Sequence, residues 1–468
     1  MGRSGTKPLI ENLLITDLAA EGKAIAHYNG IVVFVTNCVP GDLVDVQVIR
    51  KRKRFMEGFP VRFHSYSENR TKPFCRHFGE CGGCKWQHLP YEEQIKFKER
   101  QVNDALIRIG KTVPGDVLPI LASENQTRYR NKLEFTFTES RWLTREEIDS
   151  DDQSLERRGL GFHIPGKFDK VLNIEECYLQ PDPSNQIRDF VRDYAIRNNL
   201  EFFNLITHSG FLRNLIIRNN LEGEFMVILS FYQNIPDKIF PLLDALSDRF
   251  PEIVSMMYVI NPKANDTLND LTVKLYKGSD HLVEKMEDLR FRISPKSFFQ
   301  TNSTQAYRLY SIVRDFAGLA GTETVYDLYT GTGTIALFLS RNANKVIGLE
   351  YVGEAVDDAI ANAALNNIHN TRFFSGDIKD LLNDEFYAMH GHPEVIITDP
   401  PRTGMHPDVI ASIVKTASQR IVYVSCNPAT QARDVELLSV GYKLTRSQPV
   451  DMFPFTHHVE NVALLERI

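Results

Sequence analysis

"TVYDLYTGTGTIALFLS", residues Thr324 to Ser340, reads as a strand, a glycine turn and the start of a helix. The apolar run ends near Leu328, Gly331 and Gly333 supply the turn, and a second apolar stretch follows. Glycines at such a corner let the backbone approach a ligand closely at the carboxyl edge of a parallel sheet. The spacing is not G-x-G-x-x-G, which weakens a dinucleotide reading. Working outward, three more strands end on polar residues. "KVIGLEY" carries Glu350 at its end, and an acidic residue there commonly accepts hydrogen bonds from ribose hydroxyls. Gly376-Asp377 closes a third strand, and "EVIITDPPR" sets Asp399 after a fourth. One glycine turn is often a mere tight corner; four strand ends in order, each with a polar residue placed to meet a nucleoside, argue for a site. From about Arg290 onward strands alternate with helical stretches, which predicts a doubly wound, Rossmann-like α/β sheet.

The chain around this region divides into three, so the expected architecture is multidomain. Residues 1–66 alternate short β-rich runs with glycine turns, such as "GIVVFVT" and "DLVDVQVIR", predicting a small OB-like β-barrel. Residues 67–288 hold a cysteine knuckle, a helical pattern from Tyr91, and mixed α+β with strands such as "KLEFTFT" and "FLRNLIIRNN". Residues 289–468 form the α/β region. At 468 residues, 43% hydrophobic and 24% charged, the chain has ample core. Its net charge of −6 argues against a globally basic nucleic-acid coat. The run Arg50-Lys51-Arg52-Lys53-Arg54 remains a local candidate for phosphate contacts, or else a solvated edge. No apolar run approaches the ~20 residues of a membrane span. The amino terminus lacks a signal peptide's charged start and apolar core, so a cytoplasmic protein without membrane contact is expected. "MGRSGT" fits a loose acylation pattern that arises often by chance. Nothing in the sequence suggests an obligate protein partner.

The cysteines raise separate questions. In "YVSCNPATQ", residues 423–431, Cys426 stands where a β-branched strand breaks into a proline-bearing turn. On position alone it reads first as a small packing thiol, since free cysteine is among the most buried residues. Cys75, Cys81 and Cys84 give C-x5-C-x2-C, and Cys177 lies far along the chain. Four thiolates suit either a structural zinc or an iron–sulfur cluster. A disulfide framework is the weaker reading for an intracellular chain. The C-x3-C-x2-C triad used by radical methylases is absent. Cys38 has no partner in view and reads as a core thiol.

The glycine corner and its strand ends resemble those of S-adenosylmethionine-dependent methyltransferases. With "DPPR", "SCNPAT", "HHVENVALLER" and the upstream "SPKSFFQTN", the chain resembles the RNA uracil-5-methyltransferase family, in particular its 23S ribosomal RNA branch. The resemblance spans nearly the whole chain. It implies that the barrel is a TRAM domain that grips RNA, and that segment 91–122 packs on the catalytic domain. It implies Cys426 as nucleophile and Glu460 as base. Cofactor contacts fall to Gln300, Tyr329, Glu350, Asp377 and Asp399, and a [4Fe-4S] cluster to Cys75, Cys81, Cys84 and Cys177. At Thr334 the glycine loop departs from relatives that carry asparagine there. The chemistry suits these residue types. Uracil C5 is a poor nucleophile until a thiolate adds at C6, and after methyl transfer C5 still holds a proton that a base must remove. The expected function is therefore 5-methyluridine formation in RNA, with 23S rRNA as substrate. The alternatives are the T-loop uridine of tRNA, or an inactive methyltransferase fold serving as an RNA-binding or chaperone protein.

Overall fold

The computed structural model describes residues 7–468. The acylation-like stretch Met1–Thr6 lies outside the described residues. Strands Leu9–Leu18, Ala24–Tyr28, Ile31–Val35, Phe55–Ser65 and Leu43–Lys51 close, in that spatial order, into a barrel. Alternation decides its inside: Ala24 and Ala26, Val33 and Val35, and Val44, Val46 and Val48 all point inward. Small and β-branched side chains suit so narrow an interior. Trp86 and Leu89, which follow the cysteine knuckle, belong to the same core and tie the knuckle to the barrel. The cations Arg50 to Arg54 lie exposed around the turn joining two barrel strands, with Arg50 paired to Glu57 at 3.3 Å.

The central sheet has seven strands in the order Lys274–Gly278, Ile253–Ile260, Phe225–Phe231, Leu212–Asn219, Lys132–Thr138, Gly159–His163 and Val171–Asn173. Strand Phe225–Phe231 is apolar at all but Ser230, and every residue of it and of Leu212–Asn219 is buried, because both faces are covered. Leu215, Ile217, Val227 and Leu229 face helices Ser184–Arg197 and Pro236–Arg249. The alternate residues Ile216, Met226 and Ile228 face the other way, into a core shared with the hairpin Leu282–Met286/Leu289–Ile293 and helix Ser303–Ala317. That second core continues beneath the carboxyl-terminal sheet, so the two regions are welded by one apolar interior.

The carboxyl-terminal sheet has eight strands. Five are parallel, in the order Thr371–Ser375, Lys345–Glu350, Thr324–Leu328, Val395–Thr398 and Arg420–Ser425. Strand order reverses between Thr324–Leu328 and Val395–Thr398, and a crevice opens at such a switch point. Glu460–Arg467 and Tyr442–Val450 extend the sheet antiparallel, and the short strand Asp116–Val117 ends it. Among the described residues no helix is long and apolar enough to cross a membrane.

Helix Tyr91–Arg108 lies against this sheet and also touches the barrel, where Phe97 packs on its core and Arg100 pairs with Asp17. Its buried stripe runs Gln94, Lys98, Val102, Ala105 and Leu106, the spacing of one helical face. The apolar end packs with Ala432, Val435 and Leu438. At the polar end Lys98 donates to Asp451 at 2.6 Å, both side chains wholly buried. Asp451 also accepts from the Tyr91 hydroxyl at 2.7 Å and the Phe453 amide at 3.1 Å. Removing one partner of a buried pair strands the other charge. Lys98→Met should therefore cost about 3–5 kcal/mol in urea unfolding. A loss below about 1 kcal/mol would mean that Tyr91 and the Phe453 amide satisfy Asp451 alone.

Candidate active site

The glycine corner behaves as a scaffold for one carboxylate. Past Leu328 the chain turns through left-handed conformations at Tyr329 (φ 63°), Gly331 (φ 56°) and Gly333 (φ 77°). At Gly333 a side chain would stand 2.9 Å from the Ala359 Cβ, so the residue is fixed by close packing as well as by φ. Glu350 then accepts from the Gly331 amide at 3.1 Å through one oxygen and from the Val352 amide at 2.9 Å through the other. This sets the carboxylate at the rim of a cavity of about 900 Å3, lined by Gln300, Tyr329, Glu350 and Asp399 among others. Asp377 does not line it. It caps helix Ile378–Leu381 by accepting from the Lys379 amide at 3.2 Å, and pairs with the Lys379 ammonium at 3.3 Å.

Gln300 reaches the cavity from a loop held by the central sheet. Asn131 donates to the Gln300 carbonyl at 2.9 Å, and Arg218 to the Ser297 carbonyl at 2.7 Å. Arg213 is likewise buried, donating to the Asn261 carbonyl at 2.9 Å and to Asp266 at 2.8 Å. The arginines of "LRNLIIR" thus brace loops inside the protein rather than face solvent.

The cavity floor holds a carboxyl that the sequence reading passed over. Asp327 accepts from Thr330 at 2.6 Å and the Ala336 amide at 3.1 Å through one oxygen, while its other oxygen is buried without a partner. Burial pushes Asp327 up to about 7. Burial, and then the charge of Asp327, push Asp399 up to about 7 as well. A lone aspartate inside the apolar strand "TVYDL" was the available signal, because an unpaired acid in a core strand is costly without a purpose.

Cys426 follows strand Arg420–Ser425 and precedes Asn427, the N-cap of helix Pro428–Leu438. Asn427 accepts from the Ala429 amide at 3.1 Å and donates to the Arg402 carbonyl at 3.0 Å, joining the thiol's turn to "DPPR". Burial raises the Cys426 thiol to about 11, reinforced by Glu460 and Asp399, while the Arg402 guanidinium pulls it down. Glu460 is pushed up to about 8 by burial and then by Asp399, again opposed by Arg402. Among the described residues Arg402 is the cation that lowers both Cys426 and Glu460, another role absent from the sequence reading. His458 stays neutral, pulled down to about 3 by burial and neighbouring cations, and its Nδ1 accepts from Arg402 at 3.1 Å. The structure thus brings Cys426, Glu460, Asp399 and Arg402 together beside the cavity of Gln300, Tyr329 and Glu350.

Cys75, Cys81, Cys84 and Cys177 line a separate cavity of about 420 Å3. Burial raises all four thiols, Cys81 to about 11 and Cys84 to about 12. Yet among the described residues no three His, Cys, Asp or Glu side chains are arranged to hold a single metal ion. The two observations agree if the sulfurs stand around a space rather than converge on a point, since a zinc site needs donors about 2.3 Å from one centre.

Comparison with known proteins follows this geometry. A family model described as tRNA (Uracil-5-)-methyltransferase matches residues 214–468, and a TRAM domain model matches residues 10–61. The chain belongs to the uracil-5-methyltransferase family. It is 57% identical over 452 residues to an RNA methyltransferase of Bacteroides thetaiotaomicron, covering 96% of this chain and 100% of the relative. A Porphyromonas gingivalis RNA methyltransferase is 54% identical, with 97% and 99% covered. Among solved structures, the Pyrococcus abyssi tRNA (uracil-54, C5)-methyltransferase in complex with S-adenosyl-L-homocysteine aligns with a TM-score of 0.75 and 27% identity. That alignment covers 97% of this chain and 99% of that one. The chain is thus an S-adenosylmethionine-dependent RNA methyltransferase with an amino-terminal TRAM barrel.

The buried Glu460 carboxyl has a consequence for stability. Glu460 titrates near 8 in the folded protein against an ordinary 4.5. Between these values the folded protein keeps a proton that the unfolded chain releases, so stability falls as pH rises. Glu460→Gln should shrink that fall between about 4.5 and about 8, read as urea midpoint against pH. A slope equal to that of the wild type would mean that Glu460 is not held protonated.

Proposed function

We infer that this enzyme methylates uracil C5 in RNA through a covalent bond between Cys426 and uracil C6. The observation that carries this reading is the convergence of Cys426, Arg402, Asp399 and Glu460 beside the Gln300–Tyr329–Glu350 cavity. When bound there, S-adenosylmethionine supplies an electrophilic methyl group. Glu350 is placed for ribose hydroxyls, while Gln300 and Tyr329 enclose the same ligand. Arg402 favours the Cys426 thiolate, whose lone pair forms the C6–S bond as the C5–C6 π pair moves toward O4. That pair returns through C5 to the methyl carbon as the methyl–sulfur bond breaks, its electron pair staying on sulfur so that S-adenosyl-L-homocysteine would leave. Glu460, ionised, then takes the C5 proton, C5=C6 reforms, and the C6–S pair leaves with Cys426. A carboxyl held near 8 can accept and release that proton close to neutral pH. A base inside folded RNA must leave its stack to reach this thiol. The TRAM barrel and its cations at 50–54 would hold the phosphates meanwhile.

Cys426→Ala should give no RNA–protein adduct and no methyl transfer. Glu460→Gln should still add and transfer but eliminate slowly, so methylated RNA joined to Cys426 accumulates as a slow band on a denaturing gel. Rapid turnover of Glu460→Gln without adduct would return Glu460 to a structural carboxyl.

The proposed substrate is 23S rRNA in the cytoplasm. A tRNA uridine is the second reading, favoured by the likeness to the Pyrococcus abyssi enzyme. Mapping 5-methyluridine in both RNAs from a strain lacking the protein separates them.

The cysteine-lined cavity is proposed to hold a [4Fe-4S] cluster. Four thiols around one space suit a cluster better than a single ion. Protein purified without oxygen should contain iron and acid-labile sulfide; stoichiometric zinc without sulfide would overturn this reading.

A further inference from the structure

The loop that leaves the sheet at Val450 returns at Glu460, the two residues directly opposite each other in the ladder. The returning end of this loop presents the reacting side of the site: His458 meets Arg402, and Glu460 opens the returning strand. One residue of this loop is out of character. Phe455 has φ 62°, a left-handed conformation unfavourable for an aromatic residue, and it persists only where surroundings over-determine it.

Those surroundings are specific. The Phe455 amide donates to the Gln94 side-chain oxygen at 3.0 Å. The Phe455 carbonyl accepts from the amides of Lys85 at 2.7 Å and Trp86 at 3.0 Å, the two residues that follow Cys84. Gln94 is itself wholly buried, and its amide nitrogen donates to the Trp86 carbonyl at 3.0 Å and the Leu89 carbonyl at 2.8 Å. One side chain therefore joins three elements: the end of the cysteine knuckle, helix Tyr91–Arg108, and the catalytic loop. From Phe455 the order continues. Thr456 donates through its amide and its hydroxyl to the Phe453 carbonyl, at 3.2 Å and 2.8 Å. The His458 amide then donates to the Thr456 hydroxyl at 3.2 Å, which brings the chain to Arg402 and Glu460.

We propose that Gln94 is a positioning residue for Glu460, and that through it the segment after Cys84 sets the geometry of C5 proton removal. The proposal rests on Glu460 being the base. Without Gln94, Phe455 loses the acceptor that holds its strained turn, and the His458–Glu460 end of the loop can shift relative to Cys426. Addition and methyl transfer need Cys426, Arg402 and the cofactor cavity; Gln94 touches none of them, and Arg402, which meets the loop at His458, is also held through its carbonyl by Asn427 and Thr430. The step that suffers is elimination.

The experiment compares wild type, Gln94→Leu and Gln94→Glu. Gln94→Leu should keep cofactor affinity and KM for RNA within about twofold. Its kcat should fall roughly ten- to a hundredfold, the range for misplacement by a remote change. It should also accumulate the same RNA–Cys426 adduct as Glu460→Gln, and exchange the Phe455 amide hydrogen faster than wild type. Gln94→Glu keeps an acceptor for that amide and, when protonated, one donor for the Trp86 or Leu89 carbonyl, so it should turn over faster than Gln94→Leu, most clearly at low pH. Wild-type kcat in Gln94→Leu overturns the proposal. So does a fall in kcat accompanied by lost cofactor binding and no adduct, which is the mark of a merely structural residue. Should Gln94→Leu fail to fold, Gln94→Asn, polar but too short to span all three partners, is read by the same criteria. Wild-type protein that forms neither adduct nor 5-methyluridine would instead sink the proposed function itself.

Discussion

Three acids, Asp327, Asp399 and Glu460, are buried together where the parallel strands end, and the rest of the structure answers to that constraint. Each ionised carboxylate there would lack water, which is the main reason they titrate between about 7 and about 8; Glu350 adds to the rise at Asp327, Asp327 to that at Asp399, and Asp399 to that at Glu460. The groups coupled this way share their protons, so their titration belongs to the cluster rather than to single residues. Arg402 alone opposes the burial at both Cys426 and Glu460. A site built this way is poised to change its charge when an RNA base or a cationic methyl donor enters. The same arrangement would be ruinous in a flexible setting, because water entering would return the acids to ordinary values.

Rigidity comes from packing that ignores domain divisions. The central sheet is apolar on both faces, and its second face shares a core with the hairpin Leu282–Met286/Leu289–Ile293 and helix Ser303–Ala317. Asn131 and Arg218, on or beside central strands, hold the carbonyls of Gln300 and Ser297. The cofactor wall and the central sheet are therefore one mechanical unit. Helix Tyr91–Arg108 does the corresponding work on the other side through Lys98 and Gln94.

How much of this was legible in the sequence follows from how local each signal is. Barrel strands, the glycine corner and the strand-end acids are visible because alternation, φ-positive glycines and helix starts are local properties. Asp377 shows what spacing leaves open: it caps a helix, and its charge also acts on Tyr329 of the cavity. An acid after a strand can as well cap the next helix, and spacing does not tell a ligand contact from a cap. Arg213 and Arg218 show a limit of another kind. A basic residue between apolar ones looks like a surface contact, yet here both are buried on carbonyls supplied by segments about 50 to 80 residues away. Gln94 and Lys98 were hidden for the same reason, since their partners lie about 350 residues downstream. Arg402 was quoted within "DPPR" but had no role until the fold set it against Cys426 and His458.

The long-range bonds also explain why the knuckle stands where it does. Trp86 and Leu89 are buried in the barrel core, while the Lys85 and Trp86 amides grip Phe455 in the catalytic loop. The short segment after Cys84 is thus the shared boundary of the TRAM barrel, the cysteine-lined cavity and the loop that carries His458 and Glu460. A displacement of the barrel on RNA would be felt at Trp86, and through Gln94 at the Phe455 turn. Packed interiors pass such strain on rather than absorb it. The physical route from the barrel to Glu460 is therefore short, and it runs through the Lys85 and Trp86 amides and the Gln94 side chain instead of through the Gln300–Tyr329–Glu350 cavity.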